Sequence, residues 1–513
     1  SPLVEGLLYV GTDDGLIQVS EDAGQSWRKV EEFPFTNLPK HVYVSDIEPS
    51  RHDPDTVYAS FDNHKNADFK PYVLKSTDRG KSWTPISTDL PERGTVYCLA
   101  VDHADPDLLF AGTEFGVYAT LDGGQHWHEL TGGMPTIAVR DLEIQRRADD
   151  LVVGTFGRGI LILDDYTPLR ALKADLLDKD AAILPIKPAR IFVPSAPMAG
   201  RERAFQGARF FTAPNPPFGA TFTYYLKEAL KTRRAERRER EAKLAKDDKD
   251  TPYPSWDDLK AEDREDDPAV RLVVRDSNGD VIRRLGGPTG EGLHRLTWDF
   301  TLPGPEPIDG GEGPRALPGG YTVSLETVVD GEVKQLVDPT PFTVEPLYLG
   351  TLPEPDRAAV LAFQKQTAEL QRAVLGTMRV VSESLDQLRY IERAVAQTPS
   401  LPPELLKEVR ALKLKLLDVQ EAFRGDPTRP RRNEPAPVGL MDRLDTIIQG
   451  HWATTGPPTA SHRRNLDIAA DQFTAALDTL RPLLETDLPA LHQKLEDAGA
   501  PWTPGRKLPT WKR

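Results

Sequence analysis

The chain has 513 residues, a formal net charge of −15 and a single cysteine. The acidic balance argues against a general nucleic-acid binder, one cysteine leaves no internal disulfide, and no apolar stretch is long enough to span a membrane. The length leaves room for about three domains, each with its own core.

In chain order, the first feature is a motif that occurs three times. Ser20-Glu21-Asp22-Ala23-Gly24-Gln25-Ser26-Trp27, Ser76-Thr77-Asp78-Arg79-Gly80-Lys81-Ser82-Trp83 and Thr120-Leu121-Asp122-Gly123-Gly124-Gln125-His126-Trp127 share the pattern Ser/Thr-x-Asp-x-Gly-x-x-Trp. The pattern is the Asp-box, a turn that caps a β-hairpin in propeller blades. The aspartate accepts hydrogen bonds from the turn backbone, the glycine supplies a positive φ, and the tryptophan buries its ring on the blade. Asp22, Gly24, Trp27, Asp78, Gly80, Trp83, Asp122, Gly124 and Trp127 are therefore expected to be structural, with the three indoles at equivalent, largely buried places.

The surroundings repeat as well. Strands Leu8 to Thr12, Val57 to Ser60 and Leu109 to Thr113 precede the boxes. A fourth copy, Leu151 to Leu163, keeps the strands and loses the box. Strands Val44 to Glu48, Val96 to Val101 and Val139 to Ile144 come earlier in each unit. The boxes begin 56 and 44 residues apart, close to the period of four-stranded blades. Residues 1–170 thus hold about three blades, the first entering at its second strand, whereas a propeller closes with typically about 4–8. The expectation is an incomplete Asp-box β-propeller whose upstream blades belong to a longer chain.

The boxes, followed by Gly154-Thr155-Phe156-Gly157-Arg158-Gly159 and Leu163-Asp164-Asp165-Tyr166-Thr167-Pro168-Leu169, resemble the end of the bacterial Asp-box (BNR-repeat) propeller proteins. These are the sortilin-type, xyloglucanase-like "glycosyl hydrolase" group. The resemblance extends through Asn215-Pro216-Pro217-Phe218-Gly219-Ala220 and Trp298-Asp299 into the C-terminal third. It implies an exported protein, periplasmic or extracellular, of a kind commonly without proven chemistry. Blade style does not establish activity.

Beyond residue 170 the periodicity changes. A Pro- and Ala-rich linker, 171–204, leads to a β unit over 205–346, with strands expected at Ala220 to Leu226, Val270 to Asp276, Val281 to Leu285, Leu293 to Phe300, Gly320 to Val328 and Lys334 to Val344. The Ser277-Asn278-Gly279-Asp280 turn between two alternating runs is a hairpin signal. The set reads as an immunoglobulin-like β-sandwich. A charged insert, 227–267, is basic in its first part and acidic in its second, and reads as an exposed, partly helical loop.

Residues 347–513 carry apolar residues three and four apart, as in Leu405, Val409, Leu412, Leu416, Val419 and Phe423. That spacing predicts amphipathic helices in a bundle, with Pro482 and Pro489 splitting the last run. The fold class is accordingly multidomain, mainly β and then α.

Candidate site residues are few. Asp46 and Asp141 occupy equivalent repeat positions on the innermost strands, with Cys98 between them and Glu48 and Glu143 on the same pleat face. Glycoside hydrolysis needs two carboxyls about 5–9.5 Å apart, so Asp46 and Asp141 are the weak catalytic candidates. Asp46, Arg140, Asp141 and Arg158 are the candidate ligand-binding set. Scattered histidines without ligand spacing point to no metal, and no cofactor motif is present. The reading is a non-catalytic binding or scaffold protein for glycan or protein ligands, with upstream blades as its partner. The alternative is a xyloglucanase-like glycosidase whose acids lie mainly upstream.

Overall fold

The computed structural model describes residues 1–34, 41–194, 207, 213–308, 311–347, 356–452 and 454–511. It is β-rich first and helical afterwards. Four antiparallel sheets succeed one another in sequence, each a meander whose neighbouring strands are consecutive in the chain. The first holds β1 (Leu8–Gly11), β2 (Ile17–Ser20) and β3 (Arg28–Val30). The second holds β4 (Tyr43–Pro49), β5 (Val57–Asp62), β6 (Tyr72–Ser76) and β7 (Thr84–Pro85). The third holds β8 (Val96–Val101), β9 (Leu109–Thr113), β10 (Gly116–Thr120) and β11 (His128–Glu129). The fourth holds β12 (Val139–Gln145), β13 (Asp150–Thr155) and β14 (Ile160–Leu163). No closed ring of blades is formed by these four sheets.

Each motif occupies the turn between the last two strands of its sheet. Ser76 Oγ donates to Asp78 Oδ1 at 2.8 Å, and the same oxygen accepts the Ser82 N–H at 2.8 Å. The other two boxes repeat these bonds. Gly80 has φ +74°, and Gly124 lies so close to Ile86 that a Cβ would sit 2.8 Å from its side chain. Hydrogen bonding to the charged form holds all three carboxyls down to about 2. For Asp22 the Ser26 hydroxyl contributes most. For Asp78 and Asp122, desolvation is the largest single cause and acts the other way. It is outweighed by the turn's hydrogen bonds together, from Ser82, Ser76 and Lys81 in one and His126, Thr120 and Gln125 in the other.

The cores lie between sheets rather than within them. Trp83 sits with Ile17 and Val19 of the first sheet and Phe61 and Leu74 of the second. Trp127 sits with Tyr58 and Val73 of the second and Leu99 and Leu109 of the third. Each indole is thus covered by the preceding sheet, at 8% and 6% exposure. Trp27 departs from the expectation of burial. It is 41% exposed, because among the described residues no sheet precedes the first one. Leu8 and Val10 on that sheet are exposed as well, as are Ile160 and Ile162 at the other end of the array.

The stretch expected to be a linker is structured where it is described. A short helix α1 (Ala174–Leu177) precedes β15 (Ala181–Ile183) and β16 (Ala189–Ile191), and both strands join the next β unit. Three-residue strands flanked by prolines carry too little periodicity to be read from sequence. The boundary at 204–205 lies outside the described residues. Two sheets enclose the core of this unit. One is β15, β17 (Ala220–Leu226) and β20 (Gly292–Trp298). The other is β16, β18 (Ala269–Arg275), β19 (Val281–Gly287), β23 (Gly319–Val329) and β24 (Glu332–Pro346). A two-stranded piece, β21 (Thr301–Pro303) and β22 (Glu312–Arg315), lies beside them. Trp298, Phe222, Phe300 and Phe342 pack edge-to-face between the sheets. The charged insert forms α2 (Arg233–Lys246) and α3 (Trp256–Glu262), clamped by Arg237 on Glu262 at 2.6 and 2.8 Å.

The last third packs α4 (Arg357–Gln397), α5 (Leu405–Arg424), α6 (Leu440–His451), α7 (Ala460–Pro482) and α8 (Leu488–Asp497) around one apolar core. A π-helical turn, Leu483–Asp487, separates the last two. Helix α6 lies just after a Pro-rich segment and is hard to read from apolar spacing, since only Leu440, Leu444 and Ile447 mark its buried apolar face.

Candidate functional site

Three strands build the site: β4, β8 and β12, the first of their sheets. Each carries an irregularity at the same place, between Val44 and Asp46, Val96 and Cys98, and Val139 and Asp141. A β-bulge adds one unpaired residue and re-aims the side chains beyond it. The extra residues are Ser45, Tyr97 and Arg140.

The residue after each of the first two bulges turns toward the next sheet. Asp46 Oδ2 accepts the Leu99 N–H at 2.7 Å, and Ser45 Oγ donates to Val96 O at 2.9 Å. Cys98 Sγ lies 3.9 Å from Val139 O. Asp141 is the equivalent on the fourth sheet and is exposed. The two catalytic candidates therefore stand in unlike settings: Asp46 is tied into an inter-sheet seam, and Asp141 is open. Burial raises Asp46, with the Asp141 carboxylate adding to it. Glu48 is pushed up to about 7, first by burial and then by Asp46, with Glu143 adding and Arg51 and Arg146 opposing.

The bulges also send side chains to the rim. Arg140 stacks 3.7 Å above the centre of the Tyr97 ring and lies 5.5 Å from the centre of the Phe156 ring. His64 meets Tyr97 edge-on at 6.4 Å, and its Nδ1 lies 2.6 Å from Asp62. The Tyr97 hydroxyl donates to Glu114. Three consecutive sheets thus contribute to one row, His64–Tyr97–Arg140–Phe156. Arg140 has no carboxylate partner among the described residues, and Phe156 is 67% exposed. Arg158 is exposed at the tip of the β13–β14 hairpin, between Gly157 and Gly159, both at positive φ. It makes no hydrogen bond or ion pair among the described residues.

Of the expected set, Arg140 joins the rim, Asp46 turns into the seam, and Asp141 and Arg158 stay exposed. His64, Tyr97 and Phe156 are additions that sequence reasoning missed. Their signal is present only in register: Tyr97 precedes Cys98 as Arg140 precedes Asp141, so both fall on the bulge. Among the described residues, no three His, Cys, Asp or Glu side chains are placed to hold a metal ion. No helix among them is long and apolar enough to cross a membrane.

No protein-family model and no curated protein matches the sequence. Among solved structures, the chain is similar to YCF48 bound to D1 peptide, with 16% identity over 31% of this chain and 48% of that one, at a TM-score of 0.25. It is similar to the GH74 xyloglucanase from Xanthomonas campestris, with 13% identity over 66% and 44%, at a TM-score of 0.27. A third is the extracellular domain of the putative one component system BT4673 from B. thetaiotaomicron, with 11% identity over 67% and 36%, at a TM-score of 0.23. The chain spans half or less of the length of these proteins. They are of β-propeller type, and they include both a peptide-bound protein and a xyloglucanase.

Proposed function

We propose that this chain is a non-catalytic binding module built on Asp-box β-propeller blades, with its ligand seated on the rim formed by the first strands. The observation that carries this reading is the row His64–Tyr97–Arg140–Phe156. Flat rings offer stacking area at low entropic cost; in this row Phe156 is the open ring, and Tyr97, 7% exposed, lies buried under Arg140. A guanidinium stacked on them without a carboxylate offers donors to a hydroxyl, carbonyl or carboxylate. Such a surface suits the face of a sugar or an extended peptide. Asp141 and Arg158 border it, and Asp46 supports it from the seam. The exposed apolar ends of the sheet array favour further blades as partners, and export is the location this reading carries.

The test is a glycan-array and peptide-library screen of the whole chain, then titration of the best binder. Arg140→Ala and Phe156→Ala should each weaken binding about tenfold or more, as central anchors do. Arg238→Ala, on the charged insert, should not. Equal effects at all three positions would remove the rim from consideration.

The glycosidase reading has one observation in its favour: Glu48, held near 7 beside Asp46, has the proton affinity of a general acid. Against it, the Asp46 carboxylate is already bonded to the Leu99 N–H. Release of reducing sugar from xyloglucan by the purified chain, abolished by Glu48→Gln, would replace the binding reading with this one. We expect no turnover.

A further inference from the structure

A cavity of about 180 Å³ lies where the β-sandwich meets the helical bundle. Its apolar walls come from Ile191 at the end of β16, Leu317 after β22, and Val360 and Leu361 on the first turns of α4. Three polar side chains of its lining carry N–H donors, and Thr454 and Thr455 are its other uncharged polar residues. Gln364, one turn further along α4, is 6% exposed and lines the cavity without a hydrogen-bond partner among the described residues. Trp452 Nε1, just past α6, is buried and likewise unpartnered. Arg315, on β22, has no ion pair among the described residues. Its Nη1 donates to Phe192 O at 3.0 Å, and its guanidinium lies 4.9 Å from the Phe218 ring centre. Arg357 also lines the cavity and is not without partners. No described lining residue is an aspartate or glutamate.

Buried polar groups without partners are costly, and a desolvated cation without an acid more so. Burial lowers the proton affinity of the half-buried Arg315 guanidinium, against the opposing charges of Glu312 and Asp299. N–H donors set among hydrocarbon define the kind of occupant by complementarity. We propose that this cavity is a binding site for a small amphipathic carboxylate, whose anionic head meets Arg315, Gln364 and Trp452 and whose apolar body fills the space between β22 and α4. Size sets the body. A cavity of about 150 Å³ lined by aliphatic and aromatic side chains accepts benzene, so the space suits one ring or about six carbons. The site is separate from the rim of the first strands and independent of the function proposed for it.

Calorimetric titration of the whole chain with benzoate, hexanoate and benzamide tests this. Benzamide keeps the shape of benzoate and removes the charge. Benzoate should bind saturably with Kd at or below about 1 mM, and at least about tenfold more tightly than benzamide. Arg315→Met should abolish that preference while leaving benzamide binding in place. Gln364→Leu should weaken benzoate several-fold. Thermal melting of both variants establishes that they fold, and the benzoate-to-benzamide ratio needs no variant at all. Absence of saturable benzoate and hexanoate binding up to about 10 mM would overturn the proposal. So would equal affinity for benzamide, or a benzoate affinity unchanged by Arg315→Met in a folded protein.

Discussion

Glu48 and Asp78 carry the same functional group and are driven in opposite directions by their surroundings. Asp78 lies in a turn that offers it hydroxyl and backbone donors, so its charged form is favoured and its carboxyl is held to about 2. Glu48 lies in the seam of first strands, where burial and Asp46 favour the neutral form and raise it to about 7. An unfolded Glu48 loses its proton near 4.5 and the folded one near 7, so the folded state binds more protons between these values. Stability therefore falls as pH rises through that window. Glu48→Gln should remove this penalty. Its unfolding free energy should gain on wild type by about 1–2 kcal/mol between pH 5 and pH 8, allowing for partial exposure. Urea denaturation at the two pH values measures it. A pH-independent difference would mean that Glu48 is not held near 7. The identity of Glu48 is legible in the sequence; its protonation is not, because burial is set by tertiary packing and part of the surrounding charge, from Glu143 and Arg146, comes from residues far away along the chain.

At the scale of elements, each sheet lends its motif tryptophan to the gap behind it. The three boxes make nearly the same turn bonds, yet their indoles differ in cover: Trp83 and Trp127 are buried, and Trp27 is 41% exposed. Large-to-small substitution costs the transfer of the lost atoms and the cavity left behind. Trp83→Ala and Trp127→Ala should each destabilise by about 3–5 kcal/mol, whereas Trp27→Ala should cost less than about 1.5 kcal/mol. Chemical denaturation of the three variants checks the order. A loss at Trp27 equal to the other two would indicate that its face is covered in solution. Motif spacing makes all three positions legible, but burial belongs to pairs of sheets. The same limit explains β15 and β16, whose three residues each acquire their place only by pairing with β17 and β24.

At the scale of the whole molecule, the sheet array ends twice. Leu8, Val10 and Trp27 are exposed at one end, and Ile160 and Ile162 at the other. Contiguous exposed apolar faces of this kind mark interaction surfaces or aggregation liabilities. The isolated chain should therefore associate with itself as concentration rises. Lys substitutions at Val10 and Ile160 together should shift it toward monomer, read by sedimentation velocity. Unchanged association would place the contact elsewhere. If further blades cover these faces, adding them should suppress association and protect Trp27 from solvent quenching.

The features that the sequence determined by itself are periodic and local. Three boxes with their glycines and aspartates, the alternation of the strands and the three-and-four spacing of the C-terminal leucines each depend on residues within one turn, strand or helix. Chain-local chemistry is enough to specify those. Tertiary structure alone decided the features that arise between elements. It turned Asp46 into a seam, used successive bulges to bring Tyr97 and Arg140 into one stack, left Trp27 uncovered, and enclosed Gln364 and Arg315 beside a cavity. Burial, stacking and desolvation are properties of surfaces brought together by folding. A residue's own neighbours in the chain carry no record of them.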